Sequence, residues 1–346
     1  MYFAVRLHTA SGFFNNYQKK NSWHSAQEAN LNRVFTYQIP AAFCGHKISE
    51  YLKSVHFSEK ILASLRQDEN SIRLNQLPVH MNQLIEKPCT LSVSLNEDSG
   101  SASGVDSLGL FSASKVLPVK AHLQIVYEDD DILIIDKPAA MPIHPSRQEY
   151  EHTLGNAVMY YYQSRGFFTP FRCINRLDKD TSGLTIIAKN RIIAAMLNDA
   201  IQRREIYREY TAIVEGSLFG SGTLSMPIAK EDLEGSILRY VDYKNGQSAI
   251  THYESTPVSD SFSLVRLHLD TGRTHQIRVH MKELGHPLIG DRLYNPENHL
   301  MNRQALHAGY LRFVHPYKGE LLTFNAALPA DMQALLDSAT KHQECL

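Results

Sequence analysis

The feature that most constrains this chain is a charged loop that runs directly into an apolar, β-branched stretch. It reads Arg172-Cys173-Ile174-Asn175-Arg176-Leu177-Asp178-Lys179-Asp180-Thr181-Ser182-Gly183, followed by Leu184-Thr185-Ile186-Ile187-Ala188 and then Lys189 and Asn190. The apolar half has the composition of a buried strand. A strand entered from a polar loop lets a rigid scaffold hold reactive side chains at a cleft. Asp178 has the most chemistry to offer in this loop, because an ionised carboxylate serves as nucleophile, base or metal ligand. For the segment alone a solvated turn is the simpler reading, so its meaning depends on the rest of the chain.

The chain has 346 residues, and single cores stop growing at roughly 250 to 300 residues, so two unequal domains are expected. With 43% hydrophobic and 21% charged residues it is too apolar to be disordered throughout. No apolar run approaches the length of a membrane span, and Arg6, His8, Asn15 and Asn16 interrupt the first twenty residues where a signal peptide would have its apolar core. A cytoplasmic protein without membrane association is expected. Cys44, Cys89, Cys173 and Cys345 form no CxxC pair, which argues against a zinc ribbon or a disulfide framework and for free thiols. Because 35 basic and 36 acidic residues nearly cancel, any basic groove must be local.

Residues 1–34 are polar and aperiodic and read as an extension. From Phe35 the pattern tightens: Tyr37 and Ile39 begin a strand, and Ile48, Tyr51 and Leu52 share one face of a short helix. Ser58 is placed to cap a second helix carrying Ile61, Leu62 and Leu65, and strands follow around Ile72–Leu74 and Leu91–Leu95. Two small helices and a few strands over 35–96 form a module that resembles the S-four-type RNA-binding domain; a small αβ unit with solvated Lys53, Lys60, Arg66 and Arg73 reads equally well from these residues. Residues 97–119 have the Ser/Gly composition of a linker. A second domain is expected over 120–330, opening with a strand at Ile125–Tyr127, an acidic turn and the strand Ile132–Ile135 before Asp136-Lys137-Pro138, and 331–346 reads as a tail or helix.

Two more segments of that domain carry chemistry. Ile206 to Gly216 alternates as a half-buried strand, with Tyr210, Ala212 and Val214 on one side. Farther on, Gly272-Arg273-Thr274-His275-Gln276-Ile277-Arg278-Val279-His280 concentrates donors suited to phosphates, bases or a carboxylate. Gly272 is expected to supply a backbone kink, and residues 276–280 read as a strand with Arg278 and His280 on one side and Ile277 and Val279 on the other. The spacing of His275, His280 and His286 fits neither a helical zinc motif nor a zinc knuckle, so structural hydrogen bonds are expected of them and no metal site.

Along residues 122–329 the chain resembles the RluA-type pseudouridine synthase family, with the motifs in the expected order. The resemblance rests on Asp136-Lys137-Pro138 with His144-Pro145, on Arg176-Leu177-Asp178-Lys179-Asp180-Thr181-Ser182-Gly183-Leu184, and on Tyr210-Thr211-Ala212-Ile213-Val214. It extends to Gly272 through His280, and to Leu306-His307-Ala308 with Phe313-Val314-His315-Pro316. Asn175 departs from the pattern, since many members have His before the Arg-Leu-Asp triplet.

The resemblance implies an α+β fold: a catalytic domain with a large mixed, mostly antiparallel central sheet flanked by helices and loops, preceded by the small RNA-binding domain. It implies an isomerase that converts uridine to pseudouridine in RNA, of the large ribosomal subunit or, second, transfer RNA, with no cofactor, no nucleotide cofactor and a monomeric state. Asp178 is the implied catalyst, Arg278 its ion-pair partner and Tyr210 the residue that faces the uracil. Arg176, Arg273, His275 and Gln276 are implied substrate contacts, Arg176 as the residue that fills the gap left by an extruded base. Two rival readings are a non-catalytic RNA-binding module of the same fold and a magnesium-dependent phosphotransferase using Asp178-Lys179-Asp180. The second needs an apolar strand before its first Asp, whereas here the apolar run comes after.

Overall fold

A computed structural model of the chain describes residues 33–95, 116–146, 149–167 and 169–344. In chain order, β1 (Val34–Ile39), α1 (Ile48–Ser54), α2 (Glu59–Leu65), β2 (Ile72–Leu74), β3 (Leu77–Pro78) and β4 (Cys89–Ser94) make a first unit. Its antiparallel sheet has the order β1-β4-β2-β3. The alternation of Phe35, Ile39, Leu91 and Val93 puts these side chains on one face, where they meet Ile48, Leu52, Ile61 and Leu62 of the helices. Ser58 caps α2 as expected, accepting from the Ile61 N–H at 3.4 Å. The expected extension lies outside the described residues up to position 32, as does the expected linker up to position 115.

The rest of the chain builds a larger sheet. The strands are β5 (Gln124–Glu128), β6 (Ile132–Lys137), β7 (Ser182–Ala188), β8 (Tyr207–Glu215) and β9 (Gly220–Ser225), then a separate ribbon of β10 (Ile228–Lys230) and β11 (Arg239–Val241), then β12 (Ile250–Pro257), β13 (Phe262–Leu269), β14 (Leu306–Val314) and β15 (Leu321–Asn325). Nine of them form one sheet in the order β5-β6-β7-β14-β8-β13-β12-β9, with β15 pairing β14. Only β7 and β14 run parallel among its paired strands, so the sheet is mixed and mostly antiparallel, the α+β architecture expected.

Helices α3 (Leu154–Ser164), α4 (Arg191–Gln202), α5 (Gln276–Glu283) and α6 (Ala330–Glu344) complete it. Asn190 caps α4, accepting from the Ile193 N–H at 2.9 Å, and the helix buries Ile192, Ile193, Met196 and Leu197 in a cluster with Leu184 and Ile186 of β7. Each such side chain contributes roughly 1.5–3 kcal/mol when fully buried. Among the described residues no helix is long and apolar enough to cross a membrane.

The two sheets are tied together by specific contacts. Arg33 donates two hydrogen bonds to the buried Asp131 (3.0 and 3.2 Å), whose carboxylate also accepts from Asn190 at 3.0 Å. Tyr317 packs edge-on against Phe35, ring centroids 4.9 Å apart, and its hydroxyl donates to the Thr36 carbonyl.

One expected strand is a helix. The alternation of polar and apolar side chains over 276–280 has the period of a strand, yet the segment opens α5. Every residue from Gln276 to Met281 is buried, so this part of the helix has no solvated face from which its period could be read. Its polar residues find buried partners instead. Gln276 and His280, one turn apart, both bond the Thr251 hydroxyl, at 3.0 and 2.9 Å.

Candidate active site

The sheet order brings the separate motifs together, because β7, β14, β8 and β13 are consecutive neighbours. The loop before β7 carries Asp178, β8 carries Tyr210, and the turn after β13 leads into α5 and Arg278. Gly183 is required at the start of β7. Its φ is +116°, and a Cβ there would overlap the Ala308 backbone of the parallel neighbour β14.

The Asp178 loop is held to the sheet by its own polar groups. Asn175 is buried, its Nδ2 donates to the Leu184 carbonyl (3.0 Å), and its Oδ1 accepts from the Ile186 N–H (2.8 Å). Asn175 thus braces the loop, which is a physical account of the position where the sequence pattern loosens. From below, the fully buried Lys137 donates to the carbonyls of Pro138, Met141 and Lys179 at 2.7 to 3.0 Å. Burial pulls its pKa down to about 7, against the opposing pull of Asp180 and Asp178. Lys137 therefore fixes the backbone beside Asp178 from a site with no solvent access.

The Asp178 carboxylate itself is about a quarter exposed, at 26%. It accepts from Arg278 Nη1 at 3.0 Å, and His275 Nε2 stands 3.8 Å from the same oxygen. Arg278 is buried and is gripped from its other edge by Asp291, with Nε and Nη2 each 2.7 Å from a carboxylate oxygen. Burial works against its charge, but Asp291 and then Asp178 outweigh burial and raise its pKa. The ring of Tyr294 lies 4.9 Å from the guanidinium carbon and donates or accepts through its hydroxyl to His275 Nδ1 at 2.9 Å. Asp291 and Tyr294 belong to this site though the sequence reading did not pick them out; no local spacing links either to Arg278.

The cavity in front of Asp178 has a volume of about 530 Å³, within the range of ligand sites. Five arginines and two aspartates line it, so a nearly neutral chain holds a locally positive cavity. Tyr210 lines it from β8 and is buried, at 5% exposure. Burial raises its pKa, opposed by Arg208 and reinforced by Asp178. Arg176 and Arg273 are exposed at the lip, and Arg273 Nε donates to the Ser248 carbonyl at 3.0 Å.

The expected substrate contact Gln276 also lines the cavity, but its amide is used within the protein. It accepts from Thr271 Oγ1 and the Arg273 N–H and donates to Ile250 O and Thr251 Oγ1, all between 2.8 and 3.0 Å. It shapes the turn into α5. In that turn the left-handed residue is His275, with φ 58°, and not the expected Gly272. His280 and His286 are engaged elsewhere, with Thr251 and Met226 and with the Glu215 carbonyl.

Among the described residues one grouping has metal-ligand character, His252, His268 and Asp270, of which Asp270 lines the cavity. Its carboxylate is already paired with Arg204 at 2.8 Å and with His252 at 3.3 Å.

Residues 131–283 match the family described as RNA pseudouridylate synthase. A Bacillus subtilis protein named as an uncharacterized RNA pseudouridine synthase, YhcT, is 37% identical over 294 residues, which are 84% of this chain and 92% of that protein. Ribosomal large subunit pseudouridine synthase D of Haemophilus ducreyi is 40% identical over 235 residues, 64% of this chain and 72% of that one. In structure, the human RNA pseudouridylate synthase domain containing 1 is similar with a TM-score of 0.50 and 26% identity, over 65% of this chain and 96% of that chain.

Proposed function

The chain belongs to the RNA pseudouridine synthase family, and from that premise we propose that it isomerises specific uridines of structured RNA with Asp178 as the catalytic carboxylate. Large-subunit ribosomal RNA is the proposed first substrate and transfer RNA the second. Support for the ribosomal choice comes from relatives such as the large-subunit synthase of Haemophilus ducreyi.

In the reaction the bond between C1′ of the ribose and N1 of the uracil breaks, the base turns, and its C5 bonds to the same C1′. The hydrogen on C5 leaves to solvent and N1 gains one, so nothing is oxidised or reduced. The observation that carries the reading is the Asp178–Arg278 pair, 3.0 Å apart at the floor of a positive cavity. Because Asp291 holds two nitrogens of Arg278, the third is aimed at Asp178 before any substrate arrives. Asp178 then acts on the anomeric region, attacking C1′ or taking a proton beside it. Tyr210 presents its ring to the uracil and stands near the C5 hydrogen.

A base in a duplex is out of reach of such a cavity, so the target nucleotide is extruded, at a cost of about a few kcal/mol. Arg176, exposed beside Asp178, is the proposed occupant of the gap. Arg273 and His275 contribute contacts at the lip, and the four-stranded N-terminal unit adds affinity for RNA that tolerates sequence.

The test uses RNA carrying tritium at uridine C5, isolated from cells that lack this protein. Wild-type chain is expected to release tritium in the presence of a chelator, while Asp178→Asn and Asp178→Ala release none. Release persisting in both variants removes Asp178 as the catalyst. No release by the wild-type chain from ribosomal or transfer RNA favours a binding protein of this fold.

A further inference from the structure

The cavity holds a second buried arginine whose charge no carboxylate among the described residues answers. Arg208 lies on β8 two residues before Tyr210, on the same face of the strand, and lines the same cavity. It is 8% exposed, and its Nε is buried without a hydrogen-bond partner. Among the described residues no carboxylate lies within ion-pair distance of it. The nearby acids are committed elsewhere: Asp270 pairs with Arg204 at 2.8 Å, and Glu209 accepts from the Tyr207 hydroxyl at 3.2 Å. The turn that leads to α5 passes close over the guanidinium, since a Cβ on Gly272 would stand 3.4 Å from Arg208 Nη1.

A guanidinium with a desolvated Nε and no counter-charge is unfavourable in the free protein, and an occupant that carries a full negative charge relieves it. A uracil or ribose oxygen supplies dipoles only. In RNA the full charges are on the phosphates, and a planar guanidinium accepts two phosphate oxygens side by side. We infer that Arg208 is a phosphate-binding residue, which takes one backbone phosphate of the RNA strand beside the nucleotide that enters the cavity. The inference rests on the proposed RNA substrate and adds a contact to the Asp178–Arg278 site. Arg208 does not touch the reacting atoms in this assignment; it sets affinity and the register of the strand.

The test is the salt dependence of binding to a fluorescein-labelled penta-uridylate, which requires no knowledge of the natural target. Each phosphate contact on single-stranded nucleic acid adds about 0.7 to the slope of log affinity against log salt. Arg208→Gln is expected to lower that slope by about 0.7 and to weaken binding roughly tenfold at low salt, while Arg208→Lys keeps the slope and loses only part of the affinity. Should the glutamine variant lose its folded circular dichroism, the wild-type chain provides the reading. Neutralising one linkage of the penta-uridylate at a time as a methylphosphonate then finds a single linkage whose loss weakens binding to a similar extent.

An unchanged slope in a folded Arg208→Gln, or five-nucleotide probes in which no linkage stands out, overturns the phosphate contact. So does weaker binding at constant slope, which assigns Arg208 to a neutral group of the nucleotide. Tritium release by the wild-type chain reads the isomerase separately. If release fails and the slope still falls, the phosphate contact stands and the isomerase reading does not.

Discussion

Arg278 and Arg208 are both buried arginines that line one cavity, and they differ in how the protein answers their charge. Arg278 spends its nitrogens on Asp291 and Asp178 and has a tyrosine ring over its face. Arg208 has a buried Nε without a partner and no carboxylate at ion-pair distance among the described residues. A group whose geometry must not change during a reaction is held on every side by the fold. A group that is completed only by the substrate leaves a cost in the free protein that binding relieves. In the proposed function the Arg278 wall serves the chemistry and the Arg208 wall holds the strand.

The comparison breaks most visibly at Asp178. Asp178→Asn keeps the shape of the side chain and is expected to lower single-turnover tritium release by at least roughly a thousandfold, with penta-uridylate affinity within about threefold of wild type. Next in size is the grip on Arg278. Asp291→Asn removes one charge of a buried pair, so chemical denaturation is expected to show a loss of about 3–5 kcal/mol. Tritium release is expected to fall along with it, because Arg278 is no longer aimed.

His144, packed edge-on against Phe171 with ring centroids 5.2 Å apart, provides a pH prediction. His144 has its pKa pushed down to about 4 by burial and by Arg176. The unfolded chain takes up this proton near the ordinary value of about 6.5, whereas the folded chain waits until about pH 4. The stability that depends on His144 is therefore complete above pH 6.5 and is lost as pH falls toward 4, by up to about 3 kcal/mol. His144→Gln is expected to flatten that part of the curve in denaturation series between pH 7 and 4.

Bracing of the loop comes next: Asn175→Ala strands the Leu184 carbonyl and the Ile186 N–H and is expected to cost about 1–3 kcal/mol. The smallest effect sharpens the comparison most. Arg208→Met replaces an unanswered buried charge by an apolar chain of similar length and is expected to raise the denaturation midpoint slightly while RNA affinity falls. A loss of stability comparable to that of Asp291→Asn would place Arg208 in the same class as Arg278.

Strands were legible where the sequence alternates or runs apolar with little interruption, as at Phe35–Ile39, Ile132–Ile135 and Tyr210–Val214, whereas polar strands such as β9 and β12 carried no such pattern. The cap at Ser58 was legible because a hydroxyl before a short apolar periodic run has one local use. Helix α5 was not, since Gln276, Arg278 and His280 are buried against partners as much as 100 residues away and polarity no longer reports exposure. The left-handed residue at His275 was hidden for a related reason: a non-glycine at positive φ is held by tertiary contacts, here with Tyr294.

Of the site, Asp178 and Arg278 meet as the motifs implied, and Tyr210 lines the same cavity. Asp291 carried no signal beyond its presence in Gly290-Asp291-Arg292. Arg208 did carry one, because position 208 has the same strand parity as Tyr210, Ala212 and Val214 and so faces the same way.

In the proposed function Asp178 performs the chemistry and does not merely help to bind RNA. The direct measurement is single-turnover conversion with enzyme in excess over tritium-labelled RNA, comparing wild type with Asp178→Asn at concentrations where both are saturated. The account predicts that both chains bind all of the RNA and that only the wild type releases tritium. Release by Asp178→Asn at a rate near that of the wild type would contradict it.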